Sequence, residues 1–276
     1  MTTAAPFPPL PRPAQPYPFR LGVTSYVYPD ALIPNVRALA PVADDVELVF
    51  FESGDESNLP SPAEIDELAA ISRENALSYT VHFPIDKALG SPSRNERLQV
   101  QNRILDIMDR CRPLNPHGWI LHLEGISPSD HPARVAEWQR DLRPLVARIV
   151  TAVDDPALLC VENLGYPFEW CHPILDDAPL GHCLDIGHLW QMNYDWRAHV
   201  REHIPATRIV HLYGADNTSR HHALTITPEP QVRDFLAAIA GYTGVLTLET
   251  FGYEDTRASL ERLVEIISSC PSCPSW

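Results

Sequence analysis

Past its first eighteen residues, the chain repeats one alternation eight times. A short run of β-branched and other apolar residues gives way to a longer amphipathic stretch. The runs span residues 21–26, 46–52, 77–83, 118–123, 157–162, 181–186, 207–212 and 245–250, and each reads as a strand. Helical periodicity marks 31–40, 62–75, 95–111, 132–153, a short piece near 166–175, then 188–203, 228–240 and 253–268. Ser61, Pro62 and Glu64 form a start signal, with proline in the first turn of a capped helix. Eight strands alternating with eight helical segments predict an α/β fold of the (β/α)8-barrel type, with parallel strands inside and helices outside. An open doubly wound sheet would carry a glycine-rich phosphate loop after its first strand, and GVTSYVYP is not one. A length of 276 residues suits one barrel better than two small domains.

The chemistry is written at the ends of the runs. They close on TVH at His82, ILH at His122, CVE at Glu162, CLD at Asp185, IVH at His211 and TLE at Glu249. Asp, Glu and His make up about one residue in six, so six successive hits by chance are improbable. Barrel strands deliver their last side chains to one rim, where these six converge. Three carboxylates held together repel one another unless cations sit among them, and a mixed imidazole and carboxylate set suits Zn, Mn, Fe or Co. His188 follows Asp185 by three residues, with Gly187 between them to turn the backbone out of the strand. The loop HLYGADNTSRHHAL adds Asp216, Arg220, His221 and His222 to the same rim. Glu52, at the end of the second run, reads equally as a mouth residue or a solvated acid.

Composition narrows the function classes. Twenty-one Lys and Arg against 36 Asp and Glu leave a formal charge of −15, which disfavours a protein built to grip polyanionic nucleic acid. The start, MTTAAPFPPLPRPAQPYP, lacks the basic and apolar segments of an export signal, and no run is long enough to span a membrane. A cytoplasmic location follows, with the six Cys as reduced thiols. Proline density predicts an extended, poorly ordered leader over 1–18 that can lie along the barrel or a partner. The barrel then occupies 19–268 and a tail 269–276. Cys270 and Cys273 have CxxC spacing, but without a second pair this is a weak metal or redox signal.

The order His, His, Glu, Asp-x-x-His, His, His, Glu at successive strand ends resembles the superfamily of apurinic endonucleases and xylose-isomerase-like barrels. The resemblance runs from Phe19 to about Ile267. Within it, FRLGVTSYVYPDALIPNVRALAPVADDVELVFFE and the later VHFPIDKALGS resemble the cobamide-remodelling phosphodiesterases of the CbiR type. The endonuclease branch implies one metal on His82, His122 and Glu162 and a second on Glu162, Asp185, His211 and Glu249, so that Glu162 bridges them. It also implies a third metal on His188, His222 and an aspartate two positions before that histidine. Here Arg220 stands at that position, which leaves the third metal without its carboxylate unless Asp216 substitutes.

The resemblance implies hydrolysis of the phosphodiester in the nucleotide loop of a cobamide, a small-molecule corrinoid, giving a cobinamide phosphate and an α-riboside of the lower base. Two divalent ions would supply Lewis acidity and an activated water. Glu162, Glu249, His188 and Arg220 are then the catalytic candidates, and Arg220 is the best phosphate clamp because guanidinium grips two oxygens at once. Lys87 and His222 are candidates for substrate contact. A partly apolar corrinoid calls for hydrophobic surface at the mouth, and Tyr166, Phe168, Trp170, Trp190, Tyr194, Phe251 and Tyr253 are available there or for ordinary helix packing. The loop 84–94 reads equally as a cover over the site or as a plain connection. A sugar isomerase or epimerase is the alternative, since it needs only Glu162, Asp185, His211 and Glu249 around one Mn-like ion, with the glutamates as acid and base. Abasic-site endonuclease activity is disfavoured by the charge and by Arg220. A non-enzymatic corrinoid or metal-storage module would leave the ligand cluster idle.

Overall fold

Alternation along each strand decides how this chain closes. A strand points successive side chains to opposite faces, and here both faces are buried. The computed structural model describes residues 7–12, 17–53, 56–216, 218 and 220–269. Its barrel strands are β1 (Arg20–Thr24), β2 (Asp45–Val49), β3 (Ser78–His82), β4 (Gly118–Leu121), β5 (Leu159–Glu162), β6 (Gly181–Asp185), β7 (Thr207–Leu212) and β8 (Val245–Leu248). Each pairs in parallel with its neighbours in sequence, and β8 returns to β1, with Arg20 opposite Val245. Outward-facing Val46, Leu48, Val81, Leu121, Val161, Leu184, Val210 and Leu246 join the large core beneath the helices. Inward-facing Ile120, Cys160, Cys183 and Ile209 form a separate small cluster inside the barrel.

The helices are α1 (Leu32–Leu39), α2 (Pro62–Asn75), α3 (Arg94–Cys111), α4 (Pro132–Val150), the single turn α5 (His172–Leu175), α6 (Ile186–Gln191), α7 (Trp196–His203), α8 (Glu229–Ala238) and α9 (Tyr253–Ser268). The Ser61 signal is a full capping box: its side chain accepts from the Glu64 amide, and the Glu64 side chain accepts from the Ser61 amide. All eight strands lie where the sequence places them. One helix does not: the stretch expected as continuous over 188–203 is α6 followed by α7. Asn193 takes a left-handed φ of 53° at the break, and the Asp195 carboxylate accepts from the Ala198 amide at 3.0 Å to start α7. The second run is also shorter than expected. β2 stops at Val49, and the backbone of Glu52–Ser53 pairs instead with Glu56–Ser57 in a two-stranded sheet. The Glu52 side chain lies outside the described residues.

Residues 7–12 of the leader rest on the barrel's flank. Leu10 is buried, Phe7 lies 4.9 Å from the Tyr253 ring, and Arg12 donates to the Pro41 carbonyl at 3.0 Å. Cys270 and Cys273 lie outside the described residues. No helix among the described residues is long and apolar enough to cross a membrane.

Candidate metal centre at the barrel mouth

Two residues beyond the small inner cluster, the same inward faces turn from apolar to ligating. Ile120 leads to His122, Cys160 to Glu162, Cys183 to Asp185 and Ile209 to His211, while Thr80 and Thr247 lead to His82 and Glu249. The pleat therefore puts all six strand-end residues on one inner surface at one end of the barrel. Donor atoms of His82, His122 and Glu162 lie within 4.8 Å of one another, as do those of Glu162, Asp185, His211 and Glu249. Glu162 belongs to both groups. Its Oε2 is 2.9 Å from His122 Nε2 and 3.6 Å from His82 Nε2, and its Oε1 is 3.6 Å from His211 Nδ1. His211 Nδ1 is also 3.0 Å from Glu249 Oε2 and 3.8 Å from Asp185 Oδ2. Glu162, Asp185 and His211 are almost wholly sealed from solvent.

Burial alone would push these carboxyls up in pKa. The His122 and His211 imidazoles outweigh it at Glu162 and hold it well below the usual carboxylate range. At Glu249, His211 and His221 likewise outweigh burial and lower the carboxyl below its ordinary value. Conversely, burial disfavours a charged His122, but Glu162 and Glu124 raise it well above the ordinary histidine value.

Second contacts fix these side chains in place. His82 Nδ1 donates to the Phe83 carbonyl at 2.8 Å, leaving Nε2 for the site, and His122 Nδ1 meets Glu124 Oε1 at 3.0 Å. Asn163 grips the backbone of Asp185 from both sides, donating to its carbonyl at 2.8 Å and accepting from its amide at 2.9 Å. Asp185 Oδ1 caps α6 by accepting from the His188 amide at 2.7 Å, which leaves Oδ2 toward the cluster. Gly187 is required where the chain leaves β6, because a Cβ there would stand 2.1 Å from the Tyr213 ring. The most consequential residue that strand-end reasoning missed is Glu47. Fully buried inside β2, its Oε2 lies 2.9 Å from His211 Nε2, and it falls within a third donor group with His82 and Glu249. An acid at the inward parity of the apolar run DVELVF was the available signal.

The mouth opens into a cavity of about 450 Å³ lined by His82, His122, Glu162, His188, Arg220, His221 and Glu249, with Val49, Phe50, Ile85, Phe251 and Asp255. Other contacts expected from the sequence fall elsewhere. His222 does not line this cavity but pairs with Asp216 at 3.0 Å. Its neighbour His221 lies instead at the mouth, stacked on Tyr213 with ring centroids 3.8 Å apart and 3.3 Å from Glu249 Oε2. Among the described residues His188, His222 and Asp216 do not form a ligating group. Lys87 lines a neighbouring cavity along α3 with Gln99, Asn102 and Arg103. Trp190 and Tyr253 are corrections to the expected aromatic rim, since helical spacing turns both into packing. Trp190 lies edge-on to Phe235 of α8 at 6.0 Å, and buried Tyr253 meets Phe7 and Tyr28. Tyr166 and Phe168 are likewise buried. Of the seven aromatics, only Phe251 lines the cavity, and Ile85 from the 84–94 loop joins it there, both strongly exposed.

The family model described as xylose isomerase-like TIM barrel matches residues 38–270. No curated protein sequence matches the chain. Among solved structures, a D-tagatose 3-epimerase-like protein is similar with a TM-score of 0.72 at 21% identity, covering 91% of this chain and 97% of that one. Endonuclease IV from Thermus thermophilus gives 0.70 at 18% identity, covering 91% and 100%. The IolI protein, described with a bound zinc atom, gives 0.66 at 12% identity, covering 92% and 100%. At these identities the likeness to solved structures is one of fold.

Proposed function

Since the chain belongs to the family of xylose isomerase-like TIM barrels, we propose that its mouth hydrolyses a phosphodiester with metal assistance, and that the substrate is the nucleotide loop of a cobamide. The observation that carries this reading is the shared carboxylate. Glu162 belongs to a four-residue donor group and also to a second group completed by His82 and His122. One-ion sugar chemistry needs only the first. Two-ion phosphodiester chemistry needs both.

The residues present fit divalent cations. Buried Asp185 Oδ2 and Glu47 Oε1 have no hydrogen-bond partner, and His211 Nδ1 and Glu249 Oε2 face each other at 3.0 Å without the geometry of a hydrogen bond, although buried polar atoms are rarely left unsatisfied. Their lone pairs converge where three carboxylates would otherwise repel. His82, His122 and Glu162 would hold one ion, and Glu162, Asp185, His211 and Glu249 the other. When bound, such ions supply Lewis acidity toward phosphoryl oxygens and water.

The chain's own groups supply the rest. Arg220, exposed at the lip, can grip two phosphate oxygens and orient the diester over the carboxylates. His188 Nδ1 faces the Asn163 carbonyl at 3.0 Å. A carbonyl only accepts, so Nδ1 carries the hydrogen and Nε2 remains for proton exchange with the leaving oxygen. Water adds to phosphorus, the bond to the riboside oxygen breaks, and that oxygen takes the proton. The products are a cobinamide phosphate and an α-riboside of the lower base. Exposed Ile85 and Phe251 offer apolar surface for a corrinoid too large to enter the cavity whole.

A second reading rests on the four-residue group by itself. Glu162 at the end of β5 and Glu249 just past β8 contact His211, an arrangement also suited to an acid–base pair acting on a ketose, and several similar structures are epimerases or epimerase-like. Incubating metal-reconstituted protein with a complete cobamide separates the two. The expected result is cobinamide phosphate by mass spectrometry, abolished by chelator. Intact cobamide together with Mn-dependent ketose conversion would replace the phosphodiesterase reading with the isomerase one.

A further inference from the structure

Four of the twelve histidines gather on the barrel's outer flank, away from the mouth. His182 sits on the outward face of β6. His199 and His203 lie one turn apart on α7 with ring centroids 4.4 Å apart, each 5.2 Å from His182. His172 of α5 stands 6.1 Å from His203, and Phe168 packs edge-on among them, 4.6 Å from His182. Beside this group is a cavity of about 340 Å³, lined by His199, Glu202, His203, Glu169 and Asp195 among others.

Several features separate this from ordinary packing. His182 is only 4% exposed, yet its Nε2 has no hydrogen-bond partner, and neither has the buried Nε2 of His199. Donor atoms of His172, Glu202 and His203 already lie within 4.8 Å of one another. A His pair four residues apart on one helix face presents two imidazoles to the same side, and imidazole with carboxylate is a favoured set for zinc-type ions. Burial, reinforced by neighbouring imidazoles, lowers His199 to about 3 and holds His182 well below the ordinary value. Their lone pairs are therefore free at neutral pH.

We propose that His172, Glu202 and His203, with His199 as a further donor, form a peripheral site for a zinc-type divalent ion, distinct from the mouth. An ion there would tie α5, which follows the strand carrying Glu162, to α7, which follows the strand carrying Asp185. Its occupancy would stabilise this side of the barrel without touching substrate.

The test uses zinc alone as probe, with bound metal counted by mass spectrometry and thermal unfolding followed in parallel. In a Glu162→Gln background, which disables the shared ligand of the mouth, adding His172→Ala and His203→Ala should remove one zinc equivalent. It should also abolish a zinc-dependent rise in Tm of about 5 °C. Equal zinc content and equal Tm response in both proteins would overturn the proposal and leave the flank a stack of neutral rings. Glu202 is exposed, so Glu202→Ala tests the ligand set without endangering the fold. Zinc affinity at this site should fall at least about tenfold with the metal-free Tm unchanged; unaltered affinity would refute the assignment.

Discussion

The mouth and the outer flank each gather histidines at short range, and they treat them in opposite ways. At the mouth, carboxylates stand among the rings: Glu162 between His122 and His211, and Glu249 between His211 and His221, while His82 and His122 also meet edge-on at 4.7 Å. His122 and His211 each have acids within reach, which raise both well above the ordinary histidine value despite burial. On the flank, His182, His199 and His203 face one another and Phe168. Burial there outweighs the pull of Glu162 on His182 and of Glu202 and Glu169 on His203, and all three rings are held below the ordinary histidine value. Histidine count therefore says little about a site. The residue types placed between the rings decide whether a cluster stores charge or lone pairs.

The largest test of the contrast falls on the shared carboxylate. Glu162→Gln should lower phosphodiester turnover on the order of 10³-fold and strip metal from both mouth groups while circular dichroism stays native. Full activity with normal metal content would remove the bridging role. Next, Glu47→Gln keeps the shape of β2 but weakens the hold on His211, so metal affinity at the mouth should drop roughly 10–100-fold. Equilibrium competition with a coloured chelator measures this, and unchanged affinity would reduce Glu47 to a packing residue. Arg220→Ala should lower kcat/KM for the diester about tenfold at unchanged metal content. A loss of metal instead would place Arg220 in the support of the centre and remove it from substrate recognition.

The smallest expected effect is the acid response of the flank. His199 has its folded-state pKa lowered from 6.5 to about 3, so the folded protein binds fewer protons than the unfolded chain between those values. Stability from the neutral ring is fully present above about pH 6.5 and is lost as pH falls toward 3. In metal-free protein, His199→Gln should flatten the decline of stability with acidification by at most roughly 1 kcal/mol per pH unit. Urea unfolding at pH 7, 6 and 5 reads the slope; parallel lines for both proteins would show that this ring does not resist protonation.

Much of the molecule was legible beforehand because its signals are local. Eight apolar runs with helical spacing between them specify the strands and most helices, and the period of two along a strand carries the ligating residue to the inner face. Helix–barrel packing, by contrast, hid which aromatics reach the mouth, since Trp190 and Phe251 each follow a strand-end acid within five residues and only the packed helices separate them. The break between α6 and α7 was missed because Asn193 and Asp195 sit inside a stretch whose apolar spacing continues through it.

From the sequence alone came the barrel, the rim and the six strand-end residues His82, His122, Glu162, Asp185, His211 and Glu249, because each depends on residue type at the end of its own strand. Only the tertiary structure decided that Glu47 reaches across the barrel to His211, that His221 and not His222 enters the mouth, and that His182 meets α7 on the far side of the sheet. Those contacts join residues up to 164 positions apart. Their partners are chosen by barrel closure and helix packing, which no window of neighbouring residues encodes.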